Sequence, residues 1–327
     1  MKLIRWIVIG LSAVLVTAGL TKLAKAQSSP SLDDQQIHIL PVRGDIYMLV
    51  GPGGNMTLSV GADGVLAVDA MTRTSVKSIE AEIRKLTDKP LRTIINTSYQ
   101  GDHTGGNEEL SKWGGIVVGG NFTAQVGRGA PAAIFAHENV LNRMSAPTGK
   151  QAPTPVGAWP TNTFAGNRKD LFFNGEGIRI THVPAANTDG DSIVFFRRSD
   201  VISTGDIFVT TSYPRLDLAA GGGINGELDA VNYIIGEIIP VYGQEGGTII
   251  IPGHGRLCDL GDLVDYREML TIVRDRVQDM VKKGFSVEQV KVAKPTLDYD
   301  GEYGTTKGPW TTDMFVDAAY RSLSQKK

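Results

Sequence analysis

Three apolar runs in this chain each end in a glycine-framed loop that carries aspartate or histidine, and this constrains the fold more than any other feature. They are "LRTIINTSYQGDHTGGN", "VISTGD" and "GTIIIPGHG", which present Asp102 and His103, Asp206, and His254. Short apolar runs bounded by such loops read as buried strands. Polar side chains at strand ends are where open α/β sheets build their sites. Gly253 and Gly255 would let the backbone turn sharply around His254.

The rest of the chain supplies the layers such strands need. From residue 37, "IHILPV", "IYMLVG", "MTLSVG" and "GVLAVDA" are spaced as an antiparallel meander. The spacing of Val76, Ile79, Ile83 and Leu86 predicts a helix over 73–87. "KDLFFNGEGIRITHVP" and "SIVFFRRSDVISTG" read as hairpins, and 262–283 as a long amphipathic helix. The segment 145–170 has four prolines and little periodicity, which suggests a surface excursion, either the wall or lid of a cleft or a passive insertion. Strands with helices in both halves, and no low-complexity linker between them, argue for one two- or four-layered domain over 37–327.

The N-terminal segment and the charge balance limit the partners. Lys2 and Arg5, the apolar run "WIVIGLSAVLVTAGL" and "AKA" at Ala24–Ala26 read as a signal peptide over 1–26, followed by a polar linker over 27–36. A periplasmic or secreted protein is expected, with a membrane contact only if the segment stays uncleaved. A net charge of -2 without long runs of one sign argues against nucleic acid. A small-molecule substrate is the expected partner. Cys258 is the sole cysteine, so no internal disulfide can form, and a small apolar filler is its ordinary role.

Of the five histidines, His38 reads as surface on an edge strand, His137 as serving a helix terminus, and His182 as a satisfied residue at a strand end. Two imidazoles, His103 and His254, with one or two carboxylates suit a divalent zinc, iron or manganese ion. Asp189 and Asp191 in "TDGDS" are read as organisers of a turn, and Asn55 as part of a hairpin or of the cleft floor. No G-x-S-x-G surrounds Ser98, which speaks against a serine nucleophile.

The order "NTSYQGDHTGGN", "PAANTDGDSIVFF", "STGDIF", "IPGHG" resembles the metallo-β-lactamase-fold hydrolases, whose signature is H-x-H-x-D-H, a later His, a bridging Asp and a final His. The opening strands "GGNMTLSVGADGVLAVDA" match in style. The resemblance implies an αββα sandwich, two mixed sheets flanked by helices. It places Ser98, Gln100 and Asn187 where the family has the three histidines of its first metal, and Asp102, His103 and His254, with Asp206 bridging, at the second. Neutral Ser, Gln and Asn bind zinc poorly but can hold water or a substrate oxygen.

The resemblance further implies a mononuclear centre with one divalent metal, zinc first and iron or manganese as alternatives. Asp102 and Asp206 would be catalytic, and a metal-bound hydroxide would attack an ester, lactone, amide or related carbonyl. The alternative is a noncatalytic metal- or ligand-binding protein on the same scaffold.

Overall fold

Twelve strands among the described residues pair into two sheets. The computed structural model describes residues 36–114, 131–147, 152–240 and 245–324. The predicted signal peptide and all of the predicted linker but Gln36 lie outside these residues. The first sheet has the order β1 (His38–Arg43), β2 (Ile46–Gly51), β3 (Gly54–Gly61), β4 (Gly64–Val68), β5 (Leu91–Ile95), β6 (Ala133–His137), β7 (Asn162–Phe164). Its first four strands form the expected antiparallel meander, and β4 through β7 run parallel.

The second sheet has β8 (Arg168–Phe173), β9 (Glu176–His182), β10 (Ser192–Phe196), β11 (Val201–Ser203) and β12 (Ile249–Ile251), antiparallel except for the parallel pair β11–β12. The β8–β9 hairpin turns on Asn174 and Gly175, both left-handed at φ 49° and 77°. Two left-handed turn residues match the twist of the flanking strands.

Period-two patterning decides which layer each strand residue joins. In β4, Leu66 and Val68 pack between the sheets, while Val65 and Ala67 face the helices. In β10, Val194 and Phe196 point inward and Ile193 outward. The helices among the described residues are α1 (Val76–Leu86), α2 (Gly101–Thr104), α3 (Asn107–Ser111), α4 (Glu138–Ser145), α5 (Ile224–Glu237), α6 (Leu260–Lys282), α7 (Val287–Ala293), α8 (Asp300–Tyr303) and α9 (Thr312–Ser324).

Val76, Ile79 and Ile83 of α1 cover the first sheet, while α5, α6 and α9 cover the second. α6 begins at a capping box in which Asp259 and Asp262 satisfy each other's backbone amides. The result is the four-layered αββα sandwich, two mixed sheets flanked by helices.

The 145–170 segment is less irregular than its prolines suggest. Residues 148–151 lie outside the described set, but β7 adds a strand parallel to β6. Three residues with two exposed give no alternation to detect, so only pairing with β6 defines this strand.

The parallel pairs β4–β5 and β11–β12 put their carboxyl ends at one edge, where the sheets are cross-linked. Thr57 Oγ1 donates to Ser203 Oγ at 3.1 Å, Asn55 N to Gly253 O at 2.7 Å, and Ser192 N to Thr97 O at 2.9 Å. Phe196 lies fully buried between the sheets. Phe196→Ala should therefore destabilise the fold by about 3–5 kcal/mol, lowering the urea midpoint at unchanged slope. Phe172→Ala, at a residue 74% exposed, should stay within about 0.5 kcal/mol.

Candidate metal centre

His103 is positioned from beneath by Asp69, which follows β4 in a left-handed conformation at φ 66°. Such a backbone is costly for a non-glycine residue and persists only where the surroundings hold it. Here the Asp69 carboxylate accepts from Thr97 N at 2.8 Å and Thr97 Oγ1 at 2.7 Å, and meets His103 Nδ1 at 2.8 Å. Asn96 Nδ2 adds a bond to His103 O at 3.0 Å. With Nδ1 engaged, Nε2 is the nitrogen left to face the cleft, the arrangement by which a carboxylate orients a metal-binding imidazole.

The second sheet contributes Asp206, in a single turn after β11, and His254, after β12. Gly253 N donates to Gly205 O at 2.9 Å and Phe208 O at 3.0 Å. A Cβ at Gly253 would overlap the Asp206 carboxylate and the Gly205 backbone, so this approach requires glycine. Gly255, at φ 107°, reverses the chain after His254. Asn55 clamps the loop by donating to Pro252 O at 2.9 Å and Gly255 O at 3.0 Å.

These loops bring the four expected residues together. His103 Nε2 lies 3.2 Å from Asp206 Oδ2 and 4.0 Å from Asp102 Oδ1. His254 Nε2 lies 3.4 Å from Asp102 Oδ2 and 3.4 Å from Asp206 Oδ1. One donor atom each from Asp102, Asp206 and His254 falls within a sphere of mutual distances under 4.8 Å. His103 Nε2 borders this group on the Asp206 side.

The electrostatics suit a cation. Burial pushes the Asp102 carboxyl up, but His103 and His254 outweigh it and hold its pKa well below the usual carboxylate range. Asp206 is likewise lowered by the two imidazoles against its burial. Burial disfavours charge on His103 and His254, yet the carboxylates raise both above the ordinary histidine value. Three carboxylates, Asp69, Asp102 and Asp206, thus face two imidazoles, and protons on the imidazoles or a divalent ion can supply balancing positive charge.

His103 Nε2 and Asp206 Oδ1 are buried with no hydrogen-bond partner among the described residues. Buried orphan atoms are costly and rare. Imidazole nitrogens and carboxylate oxygens that converge with only each other for partners fit a zinc-type ion.

Ser98, Gln100 and Asn187, which the resemblance sets at the first-metal positions, bond to one another. Gln100 Nε2 donates to Asn187 Oδ1 at 2.8 Å, Ser98 Oγ donates to Gln100 Oε1, and Ser98 Oγ lies 3.1 Å from Asp191 Oδ1. Asp191 also accepts from Thr188 N and Thr188 Oγ1, each at 2.6 Å, the turn-forming role expected of it. Asp189 instead pairs with Arg143 through two bonds of 2.7 and 2.8 Å.

The remaining candidates stay outside the centre. His182 stacks on His137 at 3.6 Å between ring centroids, and its Nδ1 lies 3.0 Å from Asp191 O. His137 caps α4 by accepting from Asn139 N. Burial pushes the Cys258 thiol up to about 12, which keeps it a packed, protonated group. Sequence reasoning missed Asp69 and understated Asn55. The signal for Asp69 was its place at a strand end in "AVDA", one strand before the His103 loop.

The metallo-beta-lactamase superfamily model matches residues 49–254, a span that contains every residue of the centre. The chain belongs to that superfamily. None of the curated protein sequences matches it. Among solved structures it is similar to the stereoselective inverting sec-alkylsulfatase Pisa1 from Pseudomonas sp., with TM-score 0.60 and 15% identity over 87% of this chain and 50% of that one. It is also similar to DIM-1 metallo-beta-lactamase, with TM-score 0.52 and 16% identity over 72% of this chain and 97% of the other. A metallo-beta-lactamase from Pontibacter korlensis matches with TM-score 0.54 and 12% identity over 72% and 99%. The chain thus spans about half the length of the alkylsulfatase. At these identities the likeness establishes the fold.

Removing the acceptor under His103 tests its positioning. Asp69→Asn should weaken zinc affinity by about 10–100-fold, measured by chelator competition, with the far-ultraviolet dichroism of the native protein retained.

Proposed function

We propose that the protein is an exported hydrolase that uses one divalent metal ion, zinc foremost, to cleave an ester, lactone, amide or related carbonyl substrate. The observation that carries this reading is the convergence of Asp102, Asp206 and His254 within 4.8 Å, with His103 Nε2 beside them, 3.2 Å from Asp206 Oδ2. A divalent ion held by these four side chains supplies Lewis acidity that activates water at neutral pH.

The chain's own groups divide the remaining work. Asp206 reaches both imidazoles with different oxygens and is the more buried carboxylate, which suits it to holding the centre together. Asp102 is more exposed, at 29% against 11% for the Asp206 side chain, so it is the carboxylate open to substrate and to a proton in transit. Positioned general acid–base groups contribute about 10²–10⁴-fold to rate. Export rests on the N-terminal segment of charged, apolar and small residues.

Protons compete with the metal for this centre. Because the carboxylates raise the pKa of both imidazoles, the metal-free centre keeps its protons above the ordinary histidine range. Metal binding must expel them. Zinc affinity should therefore rise with pH through and beyond about 6.5 and fall on acidification, with proton release on binding seen by calorimetry in buffers of different ionisation enthalpy. Elemental analysis of the native protein should find about one divalent ion per chain, lost in His254→Ala. Absence of metal after metal-replete expression would instead establish the noncatalytic alternative.

For activity, a screen of esters and lactones should include secondary alkyl sulfates and β-lactams, the substrates named for the structural relatives. Asp102→Ala should lower kcat/KM by about 10²-fold or more. Unchanged turnover in that variant would rule out the proposed division of labour.

A further inference from the structure

The side chains at the replaced first-metal positions form a directed chain of hydrogen bonds, and its direction identifies what its far end can bind. Ser98 has one hydroxyl proton but two oxygen neighbours, Gln100 Oε1 and Asp191 Oδ1. If Ser98 donates to Gln100, the contact with Asp191 requires the proton to come from Asp191. Burial suits Asp191 to this, since it pushes the carboxyl up to about 7 against the bonds that Thr188 donates to it. Gln100 then passes the polarity on by donating from Nε2 to Asn187 Oδ1. At the end stands Asn187 Nδ2, buried and without a partner among the described residues.

An orphaned buried amide donor is costly, and each bond upstream polarises it further. The backbone that carries it is held rigidly. Asn187 O accepts from Asp217 N at 2.9 Å, and Gly222 packs so closely on Asn187 that a Cβ there would overlap its carbonyl. The relay also adjoins the metal centre: Gln100 is the N-cap of α2, which carries Asp102 and His103, and Asp191 lies near enough for the Asp206 charge to raise it.

We propose that Asn187 is a substrate-binding donor, its Nδ2 hydrogen-bonding an acceptor oxygen of the substrate, carbonyl or tetrahedral oxyanion, in the place the family gives to its first metal. This rests on the hydrolase reading and adds the specificity of the site. A neutral amide recognises acceptor oxygens without demanding a charge, so the relay replaces a cation by a donor. Asp191, Ser98 and Gln100 act through Asn187 as positioning residues.

The test is a titration of the zinc-loaded full chain with sulfate, a tetrahedral acceptor of fixed charge, read by ¹⁵N nuclear magnetic resonance. The side-chain amide of Asn187 should shift saturably. Asn187→Leu, similar in size but without a donor, should bind sulfate about tenfold more weakly, equivalent to about 1.4 kcal/mol, at unchanged zinc content. Asp191→Asn should keep native sulfate affinity, because a carboxamide can accept from Thr188 and still donate toward Ser98.

An unmoved Asn187 amide, or equal sulfate affinity in Asn187→Leu, would overturn the proposal. Loss in Asp191→Asn as large as in Asn187→Leu would overturn the outward relay. The amide shift is read in the native protein, so it decides even if Asn187→Leu fails to fold. Failure of the metal reading is separately visible as absent zinc, in which case the titration is run on the protein as isolated.

Discussion

The structure turns on the 3.2 Å approach of Asp206 to His103 across the two sheets. Asp206 comes from the five-stranded sheet and His103 from the seven-stranded one, and neither is useful without the other. The contact forms because parallel pairs β4–β5 and β11–β12 end at one edge, where Thr57, Asn55 and Ser192 tie the sheets together. The inter-sheet core of Leu66, Val68, Ile178, Val194 and Phe196 keeps that edge in register. Packing energy from the apolar layers thus holds together carboxylates that would otherwise repel.

Two kinds of polar site share this edge, and they obey opposite rules. Around Asp206 the charges are full, and the two imidazoles or a metal must balance two carboxylates. Around Asn187 the amides and the Ser98 hydroxyl are neutral, and hydrogen bonding takes the place of charge. Ser98, Gln100 and Asn187 reach polar satisfaction by bonding to each other, and the terminal donor, Asn187 Nδ2, has no partner among the described residues.

Much of this was legible in the chain. The Asn174–Gly175 turn, the α1 stripe and the glycine-framed loops all carry local signals that read correctly, whereas β4 is apolar and buried throughout, so which of its faces meets the other sheet was not legible. The long excursion was legible only in part, because β7 has no pattern of its own and exists by pairing with β6. Asp69 was missed for a related reason. Its value comes from a left-handed backbone and from contact with a histidine in the next loop, and neither is written in residue type.

Residue type and order by themselves determined that Asp102, His103, Asp206 and His254 are available at strand ends, because this is a statement about chemistry along the chain. Only tertiary structure decided that Asp69 orients His103, that Asn55 holds the His254 loop, and that Asp191 joins Ser98, Gln100 and Asn187 in one relay. Those relations depend on distances between segments far apart in sequence, which are set by how two sheets pack and not by any local preference.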